Sequence, residues 1–394
     1  REAAIPFLDP GVEPQLEYMV TRLVHEVTLT ERPKVGILSS LPVMGGPPRP
    51  PVGGPPQPPS EKKWTVISQL EDFYDVVNIQ PAQASLPSDL TALVIIHPKD
   101  LSDDMLFSID QFLLRGGRIM AFVDPLCMVD QSNQNPQFQQ FGPMQNGSDL
   151  NKLSQAWGIE LKAGKVVGDL KSATRVGSGD GGQVDRMLTW LSLRGEQINR
   201  SEVTTSSLEF VMMPFPGGFS GDAVEGVTAT PLLSSSGDSG YLESFQAMGN
   251  SAAMVQALNK EGPIHLGLRL RGRFKTAFPD GKPQSGEGND TDSGQETEEG
   301  DALAESDQDG VVILIGDVDM LHDRNTIRNL GFFGAQPLND NINLLLNFIE
   351  QITGSNALIG LRSRGTYERP FGKVIELQQQ AQEKWQLEEQ QLQT

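Results

Sequence analysis

Hydrophobic and polar positions alternate between strand-like and helix-like patterns along the first 174 residues. Val35–Leu38 is a short apolar run entered from Pro33, and Val76–Ile79, Ala92–Ile96 and Arg118–Val123 are runs of the same kind. Apolar runs of this length, bounded by turn residues, predict strands, Arg118–Val123 being of buried type. Between them, Glu61–Asp75 predicts a helix, with Trp64, Ile67, Leu70 or Glu71, and Tyr74 at helical spacing. Ser102 stands where a cap belongs, ahead of a helix to about Leu114 that Gly116–Gly117 stops. Leu150–Trp157 predicts a helix ended by Gly158, and Val166–Val167 a short strand. This order implies a mostly parallel sheet with helices on both faces, an α/β fold.

The pattern changes between residues 175 and 280. Short runs such as Val203–Thr205, Val224–Thr228 and Ile264–Arg269 alternate with Gly/Ser-rich turns, which predicts a β-rich segment. Val311–Val318 restores the apolar strand pattern. Asn339–Ile352 follows as an amphipathic helix with Ile342, Leu345, Leu346 and Ile349 on one face. The expected organisation is an α/β domain over 1–174, the β-rich segment over 175–280, and a return to the α/β core over 311–360. A C-terminal helix over 361–394 carries Val374, Leu377, Ala381 and Trp385 as a narrow apolar stripe. No internal repeat interrupts this scheme.

Two stretches fit no element. Residues 42–59 hold nine prolines and four glycines and predict an extended, solvated insertion. Residues 280–309 hold eleven acids against Lys282 alone, so an acidic disordered insertion is expected over 281–310. Its spacing does not match a calcium loop with a glycine turn and a terminal Glu.

Hydrophobic residues at 37% with 41 glycines leave enough apolar material for a sizeable core in 394 residues. Thirty-one basic against 51 acidic residues give a net charge of −20, which argues against a phosphate-tracking nucleic-acid binder. One cysteine, Cys127, excludes an intramolecular disulfide framework and a Cys-rich zinc site. The longest apolar runs fall far short of the roughly 20 residues that span a bilayer. The start at Arg1, without Met, and the stop inside a helix-like segment read as an excised piece of something longer.

The search for an active site is mostly negative. There is no G-x-S-x-G elbow, no P-loop and no H-E-x-x-H. Four histidines, His25, His97, His265 and His322, limit the base–nucleophile pairs. Gly177, Gly179 and Gly182 fit G-x-G-x-x-G but lack a strand–turn–helix frame. The best constellation is Gly316-Asp317-Val318-Asp319-Met320-Leu321-His322-Asp323, at the carboxyl end of a predicted strand. Asp317 and Asp319, with Asp323 or His322 nearby, offer hard ligands to Mg²⁺ or Ca²⁺; alternatively they cap the following turn. Asp124 ends another strand and faces the same predicted ligand crevice as Asp317 and Asp319. Cys127 follows in Pro-Leu-Cys-Met-Val, without the Gly-x-Cys-x-Gly turn of a glutaminase nucleophile, and reads as an inert thiol. Arg362, Arg364 and Arg369 form a basic cluster, either solvated and helix-capping or membrane-proximal on lipid phosphates.

Several phrases, in this order, resemble a known family. They are Ile5-Pro6-Phe7-Leu8 with Glu13 to Tyr18, Lys34 to Pro42, Gly116-Gly117 through Val123-Asp124-Pro125, and Ala156-Trp157-Gly158-Ile159 before Val166 to Asp169. Gly316 to Met320, Asn343 to Asn347, Leu361 to Arg364 and Arg369-Pro370-Phe371 complete the set. The chain is similar to the extracytoplasmic region of GldG-type auxiliary components of ABC-type transport systems, gliding-motility-associated or uncharacterised. That resemblance implies a glutamine-amidotransferase-like or flavodoxin-like α/β region outside the bacterial inner membrane, on its periplasmic side. Flanking transmembrane helices would anchor it, an ABC permease and ATPase would be its partners, and a homo-oligomer is compatible with it. No cofactor is implied. The departure at the nucleophile points to a non-catalytic interaction domain; the alternative is a metal-dependent ligand-binding or hydrolytic domain using the Asp317/Asp319 crevice.

Overall fold

Strand β1 (Lys34–Ser39) forms where Val35, Ile37 and Leu38 lose all exposure to solvent. The computed structural model describes residues 32–46, 61–131, 146–177, 184–283, 302–329 and 335–352. Helix α1 (Thr65–Glu71) is shorter than the 61–75 pattern predicts. Trp64 is its extended N-cap, and past Glu71 the chain tightens, with the Phe73 N–H on the Leu70 carbonyl at 3.0 Å, before β2 (Asp75–Ile79). Strand β3 (Ala92–Ile96) leads to α2 (Asp103–Leu114). The Ser102 hydroxyl accepts from the Met105 N–H at 3.2 Å, and Asp103 and Asp104 sit at the positive end of the helix. Gly116, at φ +85°, supplies the left-handed turn into β4 (Arg118–Phe122).

The predicted β-rich region is built of short α3 (Asn151–Ser154), β5 (Glu160–Leu161), β6 (Lys165–Asp169), β7 (Ala173–Gly177), β8 (Val184–Leu193), β9 (Val211–Pro214) and β10 (Phe219–Ser220). After β11 (Val227–Ser234) and β12 (Ser239–Glu243) come α4 (Ser244–Ala247), α5 (Ser251–Ala257) and β13 (His265–Gly272). Residues 203–205, expected to be extended, lie in turns instead. The N–H groups of Thr205 and Ser206 both reach the Glu202 carbonyl, and the Thr205 hydroxyl donates to the Asn199 carbonyl. The chain then returns through β14 (Gly310–Ile315), α6 (Asp323–Thr326), β15 (Ile327–Asn329), β16 (Ala335–Pro337) and α7 (Asn341–Ile352).

The main sheet has nine strands in the order β2-β1-β3-β4-β14-β13-β10-β5, with β11 also on β13. It is parallel from β2 to β14 and antiparallel beyond. The parallel part has the flavodoxin-like order 2-1-3-4-5, its fifth strand arriving only after the β-rich segment. Alternate residues point to opposite faces. Ile37, Val94, Met120 and Ile313 pack with Val66, Ile67 and Leu70 of α1 and with Leu345, Phe348 and Ile349 of α7. Leu93, Ile95, Ala121 and Leu314 pack with Met105, Ile109 and Leu113 of α2 on the other face. Off this sheet, β7-β8-β9 form an antiparallel sheet, and β6 pairs with β12.

The tail of the acidic stretch is tied down rather than free. The Leu303 N–H donates to Gln111 Oε1 at 2.8 Å, and Ser306, 3% exposed, accepts the Phe274 N–H. Residues 284–301 lie outside the described residues, as do 47–60 of the Pro/Gly stretch, Gly179 and Gly182, the N-terminal 31 residues and 353–394 with Arg362, Arg364 and Arg369.

Candidate functional site

Parallel neighbours β4 and β14 end side by side, and each carries an aspartate just beyond its last pairing. Past β4, the Val123 N–H still bonds the Ile315 carbonyl at 2.9 Å, and Asp124 follows. Past β14 come Gly316, Asp317, Val318 and a 3₁₀ turn over Asp319–Leu321. Asp124, Asp317 and Asp319 are all buried, at 1% exposure or less.

Two of these carboxylates are used up by backbone. Asp124 Oδ1 accepts from the Leu126 N–H at 2.8 Å and Oδ2 from the Val318 N–H at 2.9 Å. Asp319 Oδ2 accepts from the Met128 N–H at 2.8 Å and Oδ1 from the Val129 N–H at 2.9 Å, with the Cys127 thiol 3.7 Å away. Each strand end thus captures the chain that leaves the other. Asp317 Oδ1 accepts from the Met320 N–H at 3.0 Å, whereas its Oδ2 is buried with no hydrogen-bond partner. Asp323 lies elsewhere: its two oxygens take the Thr65 N–H at 2.8 Å and the Thr65 hydroxyl at 3.0 Å, at the start of α1. His322 accepts the Arg324 N–H on Nδ1, and its ring meets Trp64 edge-on.

Burial sets the protonation of this cluster. It pushes the carboxyls of Asp124 and Asp317 well above the usual range, and the neighbouring carboxylates push the same way. Asp319 is pushed up by burial to about 6, against the pull of the Met128 and Val129 N–H groups. Burial, then the charges of Asp124 and Asp319, push the Cys127 thiol up. Asp124, Cys127 and Asp319 bring one ligand atom each to within 4.8 Å of one another. A cation there would have to displace protons that burial holds in place, the thiol's above all.

Sequence reasoning passed over a second group, at the end of β3. His97 is buried at φ +54°, its Nε2 3.3 Å from Asp130 Oδ2, which also takes Lys99 Nζ at 2.7 Å. Burial holds the imidazole below its ordinary value. The available signal was the switch from Ala92–Ile96 to His97-Pro98-Lys99-Asp100 at the carboxyl end of a strand, where open α/β sheets gather ligands. Residues 98–101 line a cleft of about 640 Å³ together with Asp124, Ser148 and Phe245.

The fold is of the α/β class, a mostly parallel sheet of flavodoxin-like order whose β4 and β14 ends are tied to each other by their own carboxylates. The family of ABC-type uncharacterized transport system proteins matches over residues 32–348, and the chain belongs to it as an auxiliary component of such a system. A search of curated proteins returns no match. Transport systems of this type act at membranes; among the described residues, no helix is long and apolar enough to cross one.

Proposed function

We propose that this chain is the non-catalytic extracytoplasmic domain of an ABC transporter auxiliary membrane protein. It acts by contact with the permease or other envelope components, on the periplasmic side of a bacterial inner membrane, as in gliding-motility-like systems. One observation carries this reading: both oxygens of Asp124 and of Asp319 are spent on backbone N–H groups that hold the strand ends together. The buried Cys127 beside them, its thiol held protonated, supports the same reading. The test is site-directed photocrosslinking of the full-length protein in its native cells, combined with protease accessibility. Crosslinks to the permease, and digestion only after the outer barrier is opened, are expected. Full-length protein recovered soluble in the cytoplasm would defeat the reading.

A second reading has one observation in its favour, the partnerless buried Oδ2 of Asp317. It makes the Asp317/Asp319 crevice a metal-dependent ligand-binding or hydrolytic site. A rise in melting temperature with Mg²⁺ or Ca²⁺ that vanishes in Asp317→Asn/Asp319→Asn would support it over the first.

A further inference from the structure

Five large apolar side chains stand exposed among the described residues, and three of them belong to one helical segment: Phe245, 73% exposed, on α4, Met248 at its C-cap and Val255 on α5. Phe245 and Met248 are three residues apart, which places them on one side of a helical turn. Residues 244–259 carry no charged side chain, in a chain that is 21% charged. The inner side of these helices is accounted for: Ala247 packs with Val166 and Phe215, and Met254 with Leu188 and Leu242. Their outer side, Ala252 and Ala253 included, is exposed.

A cationic pair adjoins this face. The Ser251 hydroxyl donates to the Arg186 carbonyl at 2.6 Å, which joins the start of α5 to β8. Arg186 stands directly opposite Arg175 of β7, so two exposed guanidinium groups share one side of the strand pair. Asp185, next in sequence, alternates to the other side. The Arg186 guanidinium meets the Leu170 carbonyl at 2.7 Å, and among the described residues neither arginine pairs with an acid. The acids flanking the helices are balanced by lysines: Asp238 takes Lys171 and Lys260, and Glu243 faces Lys165. Like charges set opposite each other cost stability, and here no carboxylate offsets them.

We propose that α4, α5 and the Arg175/Arg186 pair form a docking face for an anionic lipid bilayer. Phe245, Met248 and Val255 enter the boundary between headgroups and acyl chains, and the two arginines meet lipid phosphates. A bilayer complements both halves at once, whereas an acidic protein would suit the arginines alone. The chain as a whole, at a net −20, is repelled by an anionic surface, so attachment to one depends on a local face that is apolar and basic. This role goes beyond the permease contact proposed above and does not rest on it.

The test uses the purified full chain with vesicles of phosphatidylcholine alone or with about 30% phosphatidylglycerol. Cys127 is buried, so an environment-sensitive fluorophore attaches in the native state only where a cysteine is introduced, by Met248→Cys or, away from this face, by Val203→Cys. Emission from position 248 is expected to rise several-fold with the anionic vesicles and to stay unchanged with the neutral ones; position 203 should respond to neither. Arg175→Gln/Arg186→Gln should weaken vesicle binding about tenfold or more without a fall in melting temperature, because the opposed charges no longer repel. Phe245→Ser, at an exposed position, should weaken binding severalfold and melt like the parent. Equal binding to both kinds of vesicle, a response at 203 in place of 248, or binding unaltered by the arginine substitutions would overturn the proposal. Absence of vesicle binding would overturn it too: self-association lost in Phe245→Ser would then give the face to a second copy, and a photocrosslink from position 245 to the permease would give it to that protein.

Discussion

Asp124 Oδ2 accepts the backbone N–H of Val318 at 2.9 Å across 194 residues of sequence. Asp319 answers it, taking the N–H groups of Met128 and Val129 on the other side. The two acids act as a reciprocal clasp on neighbouring strand ends, so opening one side releases the loop that the other needs. Hydrogen bonds of this kind are worth about 0.5–1.5 kcal/mol each to a neutral carboxyl and about 1.5–3 kcal/mol to an ionised one.

Stability should fall as pH rises through the weakly acidic range. The folded chain keeps protons on Asp124, Asp317 and Asp319 that the unfolded chain releases near pH 4, so the folded state binds more protons above that point. For Asp319, raised from 3.8 to about 6, the loss amounts to about 3 kcal/mol and is complete a little above pH 6. Asp124 and Asp317 extend the decline to higher pH. Asp317→Asn keeps the acceptor for Met320 and removes the partnerless oxygen. It should melt higher than the parent at pH 8 and lose less between pH 5 and 8. Thermal unfolding across that range checks both; a lower melting point at pH 8 would count against the assignment.

Asp323→Ala should destabilise the fold by about 1–2 kcal/mol, the usual worth of a carboxylate on a helix-start N–H. It strips partners from the Thr65 N–H and hydroxyl at the start of α1. Asp323→Asn should recover part of the loss. Urea midpoints at constant slope provide the measurement.

Cys127 should resist thiol reagents in the native state. It has no exposure, and its thiol is held protonated. A chromogenic disulfide reagent should label it only at the rate of unfolding and fully in denaturant. Rapid native labelling would mean that the 125–130 loop opens readily.

Gly316→Ala should be among the most damaging small changes near the site. A Cβ there would lie 2.4 Å from the Gly217 carbonyl oxygen, and the Gly217 N–H already bonds the Gly316 carbonyl at 2.6 Å. The two chain segments must separate to admit the methyl group, at a cost of about 2 kcal/mol or more. Equilibrium unfolding of the variant, compared with Gly164→Ala, where a Cβ meets no atom within 4 Å but φ is +68°, separates crowding from backbone strain.

The central strands were legible because their whole length is apolar. Val35–Leu38, Ala92–Ile96 and Val312–Ile315 are buried throughout, so continuity alone marks them. Placement of Asp124 and Asp317 at strand ends was legible for the same reason. The Met320 N–H on Asp317 follows the turn-capping alternative; what Asp124 and Asp319 bind was not legible, since Val318 and Met128 are distant in sequence from the acids that hold them. Asp323 was grouped with its neighbours by spacing alone, although its partner is Thr65 on another element. Residues 203–205 came out as turns because hydroxyl and carbonyl contacts outweighed a local pattern of three residues; helix α1 came out shorter than its 61–75 pattern. The ten residues of β8 went unread: its polar positions Asp185, Arg186, Thr189 and Ser192 break the alternation that would have announced a strand.

The position of β14 beside β4 also bears on how the chain is made. Strand β4 emerges from the ribosome long before the strand that covers its open edge, and the contacts that join them are among the most sequence-distant in the molecule. Such high contact order slows folding and leaves an unpaired, apolar strand edge waiting during synthesis. The nascent chain therefore needs shielding until β14 has been translated, and a product truncated before residue 310 would be a substrate for chaperones and proteases, not a smaller working domain.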